Sequence, residues 1–256
     1  MTLLRYDMGE GVTAFSTLRE GGAGKGEYAS FNVTHYCGDD PEAVRRNRDV
    51  LCRTLGIQDD CLVVPEQVHH VDILTLQEDW RTMPETTRKL LLKGKDALMT
   101  DVPGLCIGVS TADCIPMLLY DPVRRAVCAV HAGWRGTVRY FAKAAVEAMQ
   151  AQYGSEPSHL RAVIGPGISL QHFEVGDEVY QAFAEAGFPM EAIAVRKEKW
   201  HIDLWKCNQL QLLQAGLAEE HVRVAGCCSY DDPARWFSAR RQGIRSGRIY
   251  TGIMLH

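Results

Sequence analysis

Ala126-Val-Cys-Ala-Val-His-Ala-Gly-Trp-Arg-Gly136 opens as a strand and ends abruptly. Five small or β-branched apolar residues run into His131, and Gly133 breaks the run. So short an apolar stretch, bounded by a turn signal, reads as a buried strand. Immediately downstream, Thr137 is a plausible cap for an Ala-rich helix over residues 137–153. Immediately upstream, residues 105–109 and 116–120 read as strands. Further out, residues 61–65, 71–76, 160–164 and 248–255 read the same way. Helices fit residues 177–186 and 204–215. A helix over residues 41–55 has Asp40 as its cap, Pro41 at the favoured first position and Gly56 at its end. Strands and helices alternate without a regular βαβ rhythm. The expected class is therefore α+β, in a single domain over residues 1–256 with mixed β-sheets.

The chain has 256 residues, 46% hydrophobic. A chain of that size can bury roughly 70–75% of its unfolded surface, so it needs no disulfide or structural metal merely to fold. The net charge of −4 argues against a broad nucleic-acid surface, where the phosphate backbone demands a basic face. Small anions stay open as ligands, because a few local arginines suffice for them. The first residues carry no basic segment followed by an apolar stretch. The most apolar region, residues 104–120, is broken by Ser110, Thr111 and Asp113, so it is too short and too polar to span a bilayer. Nine cysteines without a visible leader point to reduced thiols and a cytoplasmic location. No CxxC pair offers a closed zinc knuckle, and no GxGxxG or GxxxxGK[ST] offers a dinucleotide or P-loop site. Residues 19–28, with Gly21, Gly22, Gly24 and Gly26, read as a surface loop beside a site or at a rim.

Three stretches carry chemistry. They are Glu66-Gln67-Val68-His69-His70, Ser110-Thr111-Ala112-Asp113-Cys114 and His131-Ala132-Gly133-Trp134-Arg135-Gly136. Each sets a metal-ligating side chain at the end of a strand, and three such ends can converge at one sheet edge. Imidazole and thiolate together suit Zn²⁺, and three protein ligands leave a fourth tetrahedral position open. Each residue also has a plain alternative. Cys114 precedes an apolar run and fits a core, His131 fits a hydrogen-bonded core histidine, and His69 fits a partner for a backbone carbonyl. His70 competes with His69, since a strand sends neighbours to opposite faces.

The sequence resembles the YfiH/YlmD-type family, also called laccase-domain or polyphenol oxidase-like proteins. The resemblance covers nearly the whole chain. It rests on Thr17-Leu18-Arg19-Glu20-Gly21-Gly22, Phe31-Asn32, Asn47-Arg48, Gln67-Val68-His69, Asp96-Ala97-Leu98-Met99-Thr100 and Thr111-Ala112-Asp113-Cys114. It continues through residues 131–136, Gly165-Pro166-Gly167-Ile168, Phe173-Glu174-Val175-Gly176, Phe237-Ser238, Arg240-Arg241 and Gly247-Arg248. It implies a layered α/β/β/α fold with zinc on His69, Cys114 and His131. The implied activity is that of a purine nucleoside phosphorylase acting on adenosine, inosine and 5′-methylthioadenosine, with adenosine deaminase activity. Two features depart from the family pattern. His70 stands where glycine usually follows the first histidine, and alanine precedes Arg240-Arg241 where an aromatic is common.

Against that background the expected catalytic residues are Cys114, His131 and Asp113. Asp113 and Glu174 are the candidate proton carriers. Arg19, Arg135 and Arg240 are candidate phosphate holders, since a guanidinium matches two phosphate oxygens. Asn32 and the glycine-rich loop are placed to close over a nucleoside, and Trp134 to stack on a purine or to fill a core. Two other activities compete. A copper polyphenol oxidase is one, because the divalent affinity order favours Cu²⁺; the nine histidines contain no His-x-His pair of the kind that feeds a trinuclear copper cluster. A metal-free hydrolase built on Cys114 and His131, acting on cell-wall precursors, is the other. A metal-stabilised interaction module without catalysis completes the set.

Overall fold

A computed structural model describes residues 2–256. In chain order its strands are β1 Leu3–Tyr6, β2 Val12–Thr17, β3 Leu62–Val63, β4 Ile73–Leu76, β5 Ala97–Thr100, β6 Cys106–Thr111 and β7 Ile115–Asp121. They continue with β8 Ala126–Ala132, β9 Arg161–Ile164, β10 Glu174–Val175, β11 Ala194–Arg196, β12 Trp200–Ile202, β13 Val222–Val224 and β14 Ile249–Leu255. The helices are α1 Pro41–Leu55, α2 Glu85–Leu92, α3 Trp134–Val138, α4 Phe141–Tyr153, α5 Asp177–Glu185, α6 Met190–Ile193, α7 Leu204–Gln214 and α8 Ala239–Gln242. Six strands form one sheet in the order β13-β9-β7-β8-β5-β4, and five form another in the order β1-β2-β14-β6-β3. A small third sheet is ordered β10-β12-β11. Both large sheets mix parallel and antiparallel pairs. No helix among the described residues is long and apolar enough to cross a membrane.

Side-chain alternation explains the layering. Along β7 and β8 successive residues point to opposite faces. Met117, Leu119, Cys128 and Val130 meet Phe141, Ala145 and Met149 of α4 and Cys207 and Leu212 of α7. Leu118, Tyr120, Val127 and Ala129 meet Ile107, Val109, Ile253 and Leu255 of the five-stranded sheet. The far face of that sheet, with Phe15, Cys106, Tyr250 and Met254, packs on Leu51 and Cys52 of α1. The order is α/β/β/α, as the resemblance implied. Each fully buried leucine here contributes about 1.5–3 kcal/mol of transfer free energy.

Helix α1 has the expected ends: Asp40 Oδ1 accepts from the Glu42 N–H, and Gly56 closes the helix at φ 72°. The helix expected over residues 137–153 is two helices, α3 and α4, broken at Tyr140, whose φ is 59°. Thr137 is not a cap; Gly133 holds that position. Thr137 is buried inside α3, its hydroxyl accepting from Asn208 and its carbonyl from Gln211, both on α7. Tertiary bonds here override the capping preference. The strand expected over residues 61–65 shrinks to β3. Strands β1, β2 and β5 and helix α2 had no strong local signal.

Strand register places the site. Ala97 of β5 pairs with Val130, and Ile115 of β7 pairs with Ala132. Asp96 and Cys114, each one residue outside its strand, therefore flank His131 from the two neighbours of β8. Ile73 of β4 pairs with Ala97, which brings the turn before β4, with His69, to the same edge.

Candidate metal centre

His69, Cys114 and His131 each offer one ligand atom, and these atoms all lie within 4.8 Å of one another. The two imidazoles meet edge to face at 4.8 Å between centroids. His131 is buried, Cys114 half-buried and His69 exposed, so the cluster has a sheltered floor and an open side. Gly133 forms part of its wall. A Cβ there would stand 3.0 Å from Cys114 Sγ and 3.1 Å from His69 Cδ2, so the absent side chain keeps the ligands apart and free.

Asp96, fully buried, organises this cluster. Its Oδ1 accepts from His131 Nδ1 at 2.7 Å and from the His69 N–H at 2.9 Å. Its Oδ2 accepts from the His70 N–H at 2.8 Å and the Val68 N–H at 3.2 Å. Burial opposes its charge, but the bonds from His131 and from the backbone hold its carboxyl below the usual range. Gln67 ties the same turn to β6, bonding both backbone groups of Ser110 at 2.7–2.8 Å. Neither residue had been given a role from sequence. The available signal was a charged residue directly before the apolar run of β5.

Burial alone would push the Cys114 thiol up; the field and hydrogen bonds of His131 and His69 more than reverse this and hold it low. Burial likewise presses His131 down, while the Cys114 sulfur and Asp96 raise it overall. A thiolate beside imidazole, with a tetrahedral position free, fits a borderline divalent ion such as zinc. In chelated protein at pH 7, Cys114 is expected to react with iodoacetamide ahead of Cys37, Cys61 and Cys227, whose thiols burial pushes up. Saturating zinc should protect it. Peptide mapping that finds another of these labelled first would contradict the depressed thiol.

The other expected residues divide. Asp113 adjoins Cys114 at φ 90°. Its Oδ1 accepts from Ser229 Oγ and its Oδ2 from the Arg240 N–H, each at 2.6 Å. The Arg240 guanidinium donates to the carbonyls of His172 and Glu174. Arg135 is exposed on α3 and lies 4.5 Å from the ring centroid of half-buried Trp134, which packs against the core. Arg19 spends its guanidinium on the carbonyls of Ala29 and Pro233 and lies over Phe237, bracing the glycine-rich loop to the C-terminal segment. The Asn32 side chain is turned inward, where protein groups occupy its amide. It is fully buried; its amide donates to Thr34 and Asp39 and accepts from the Thr34 and Arg248 N–H groups. Glu174 is paired with Lys199 at 2.8 Å on the surface. His70 is exposed, 3.9 Å from Asp72, and does not join the three clustered ligand groups.

Fold and cluster define a class: a layered mixed α/β protein with an open His–Cys–His group at the edge of its six-stranded sheet. The chain belongs to the family described as multi-copper polyphenol oxidoreductase laccase, which matches residues 13–256. It is 45% identical over 248 residues to a purine nucleoside phosphorylase of Bacteroides thetaiotaomicron, covering 96% of this chain and 92% of that one. It is 42% identical to adenosine deaminase RL5 from an unknown prokaryotic organism, covering 95% of this chain and 94% of the other. Among solved structures, YlmD from Geobacillus stearothermophilus superposes with a TM-score of 0.90 at 30% identity, covering 98% of this chain and 94% of that one.

Proposed function

We propose that this protein is a zinc-dependent purine nucleoside phosphorylase acting on adenosine, inosine and 5′-methylthioadenosine, with adenosine deaminase activity. The observation that carries the reading is the open His69–Cys114–His131 cluster in a chain so close to a phosphorylase along almost its whole length. Bound there, zinc would supply a Lewis acid with a vacant coordination position. The protein's own groups supply the rest. In phosphorolysis a phosphate oxygen bonds to C1′ of the ribose while the C1′–N9 bond breaks. The electron pair leaves with the purine, which takes up a proton. Arg135 is the exposed cation nearest the cluster in sequence and is assigned to the phosphate. Asp113 has two of its roughly four acceptor positions taken, so it can receive or return a proton while Ser229 and Arg240 hold it in place. Arg240 and Arg19 shape the rim from the C-terminal segment. In deamination, water adds at C6 of adenosine and ammonia leaves, with Asp113 again the proton carrier. A cytoplasmic location belongs to the same proposal, supported by nine free cysteines.

Chromatography of adenosine, inosine and 5′-methylthioadenosine incubated with zinc-loaded protein tests this. Free base should appear only with phosphate, inosine should form from adenosine without it, and chelation should stop both. If neither base nor inosine forms, the proposal falls. Copper oxidase chemistry is the second reading, favoured by the family's description. Against it, His69, Cys114 and His131 are the one such cluster among the described residues. Phenol-dependent oxygen uptake surviving strict zinc reconstitution would support it. Activity on cell-wall amides that survives chelation but not thiol alkylation would favour the Cys114–His131 hydrolase instead.

A further inference from the structure

We propose that Asp96 is the positioning residue of the metal centre, one buried carboxylate that sets both imidazole ligands before any metal arrives. The proposal rests on the reading of the cluster as a metal site.

Asp96 acts first on His131. An ionised carboxylate only accepts, so its 2.7 Å bond to Nδ1 requires the proton on that nitrogen. Nε2 is then the atom left to hold a metal, once its own proton is released. The Asp96 carbonyl also accepts from the His131 N–H at 2.8 Å, so ring and backbone of this ligand are held by one residue.

It acts second on His69. That residue sits at φ 65°, a left-handed conformation that is sterically unfavourable for a non-glycine residue. Three consecutive N–H groups, of Val68, His69 and His70, converge on the Asp96 carboxylate. Successive backbone N–H groups in such a turn form a concavity for an anion, and here the anion is part of the protein. The charge-assisted bonds offset the strained backbone and fix where the His69 ring starts. Two ligands from distant parts of the chain are thereby referred to one carboxylate. His70 belongs to the arrangement through its backbone N–H, while its side chain stays outside the cluster.

The test uses the full chain and the metals alone. In Asp96→Asn, an amide N–H would face backbone N–H donors. Zinc affinity, measured by competition with a chromophoric chelator, should fall by roughly 10- to 100-fold, the usual consequence of removing such a partner. The Co²⁺-substituted variant should keep its thiolate charge-transfer band, because Cys114 is untouched, while its visible d–d bands change. Asp203→Ala removes the cap of α7, where Asp203 Oδ1 accepts from the Lys206 N–H. It should lower Tm yet leave zinc affinity unchanged, which separates positioning from general destabilisation. Unchanged zinc affinity and unchanged cobalt bands in Asp96→Asn would overturn the proposal. Should that variant fail to fold, the wild-type protein still decides. Long-range ¹H–¹⁵N spectra of the zinc-loaded chain should show His131 protonated on Nδ1, and a proton on Nε2 would overturn it equally. A protein that passes these measurements but cleaves no nucleoside would sink the phosphorylase reading alone.

Discussion

Replacing Cys114 with alanine is expected to remove zinc binding and lower phosphate-dependent nucleoside cleavage by on the order of 10³-fold or more, the scale of losing a main electrostatic stabiliser. The thiolate is the only anionic ligand of the three, and its neighbours have already made it one. In the metal-free protein the low Cys114 thiol and the raised His131 are two views of the same attraction. A metal held by these residues would take the place of the imidazole proton as the thiolate's positive partner. Without the sulfur, two neutral imidazoles remain, one of them exposed, and they form a far weaker divalent site. The fold should survive, because Cys114 lies outside β7 and the apolar run that holds the sheet begins at Ile115. Metal analysis, circular dichroism and turnover on one preparation check this. A folded, metal-free Cys114→Ala protein retaining wild-type turnover would move the chemistry elsewhere. His69→Ala should show the same loss in milder form, since the less exposed Cys114–His131 pair stays.

The three residues of the candidate cluster were legible for a physical reason. Each stands where an apolar run meets a turn, and a side chain there can face a cleft while its backbone stays fixed. Strand register then made their convergence unavoidable. Asp96 was not legible, because a carboxylate at the mouth of a strand looks the same whether it meets water or four protein donors. Asn32 shows the converse. A turn asparagine and a buried one have the same letter, and only the packing of Thr34, Asp39 and Arg248 around it decides which it is. The β8 hairpin and α1 were legible because their signals are local. Strand β2 was not, since it pairs with β14, Thr251 lying opposite Ser16, at the far end of the chain. Its six residues, Val12–Thr17, bear no mark of a partner so distant.

Gly108→Ala should be among the most damaging single-methyl additions. Gly108 lies opposite Gly252 in the β6–β14 pair, and the reason is Tyr250. A Cβ at position 108 would stand 2.4 Å from Tyr250 Cζ and 2.6 Å from the Thr251 carbonyl oxygen. A Cβ at 252 would meet the same ring at 2.6 Å. The ring therefore lies across both glycines, and no side chain fits beneath it. It cannot swing aside cheaply. Tyr250 is fully buried, its hydroxyl is shared between the carbonyls of Cys106 and Val63 at 3.1 and 3.3 Å, and Phe15 packs against it at 6.0 Å. Overpacking of a rigid core costs about 1–3 kcal/mol, and losing the buried hydroxyl's bonds adds about 1–3 kcal/mol more. At about 2–4 °C per kcal/mol for a chain of this size, Tm should fall by about 10 °C in chelated protein. The double variant Gly108→Ala/Tyr250→Leu should lose less than the two single losses combined, because the second change removes the obstacle to the first. Strict additivity would show that the ring is not what excludes the methyl group. Since β6 runs directly into Thr111 and on to Cys114, the single variant should also weaken zinc binding, and the double variant should recover part of it.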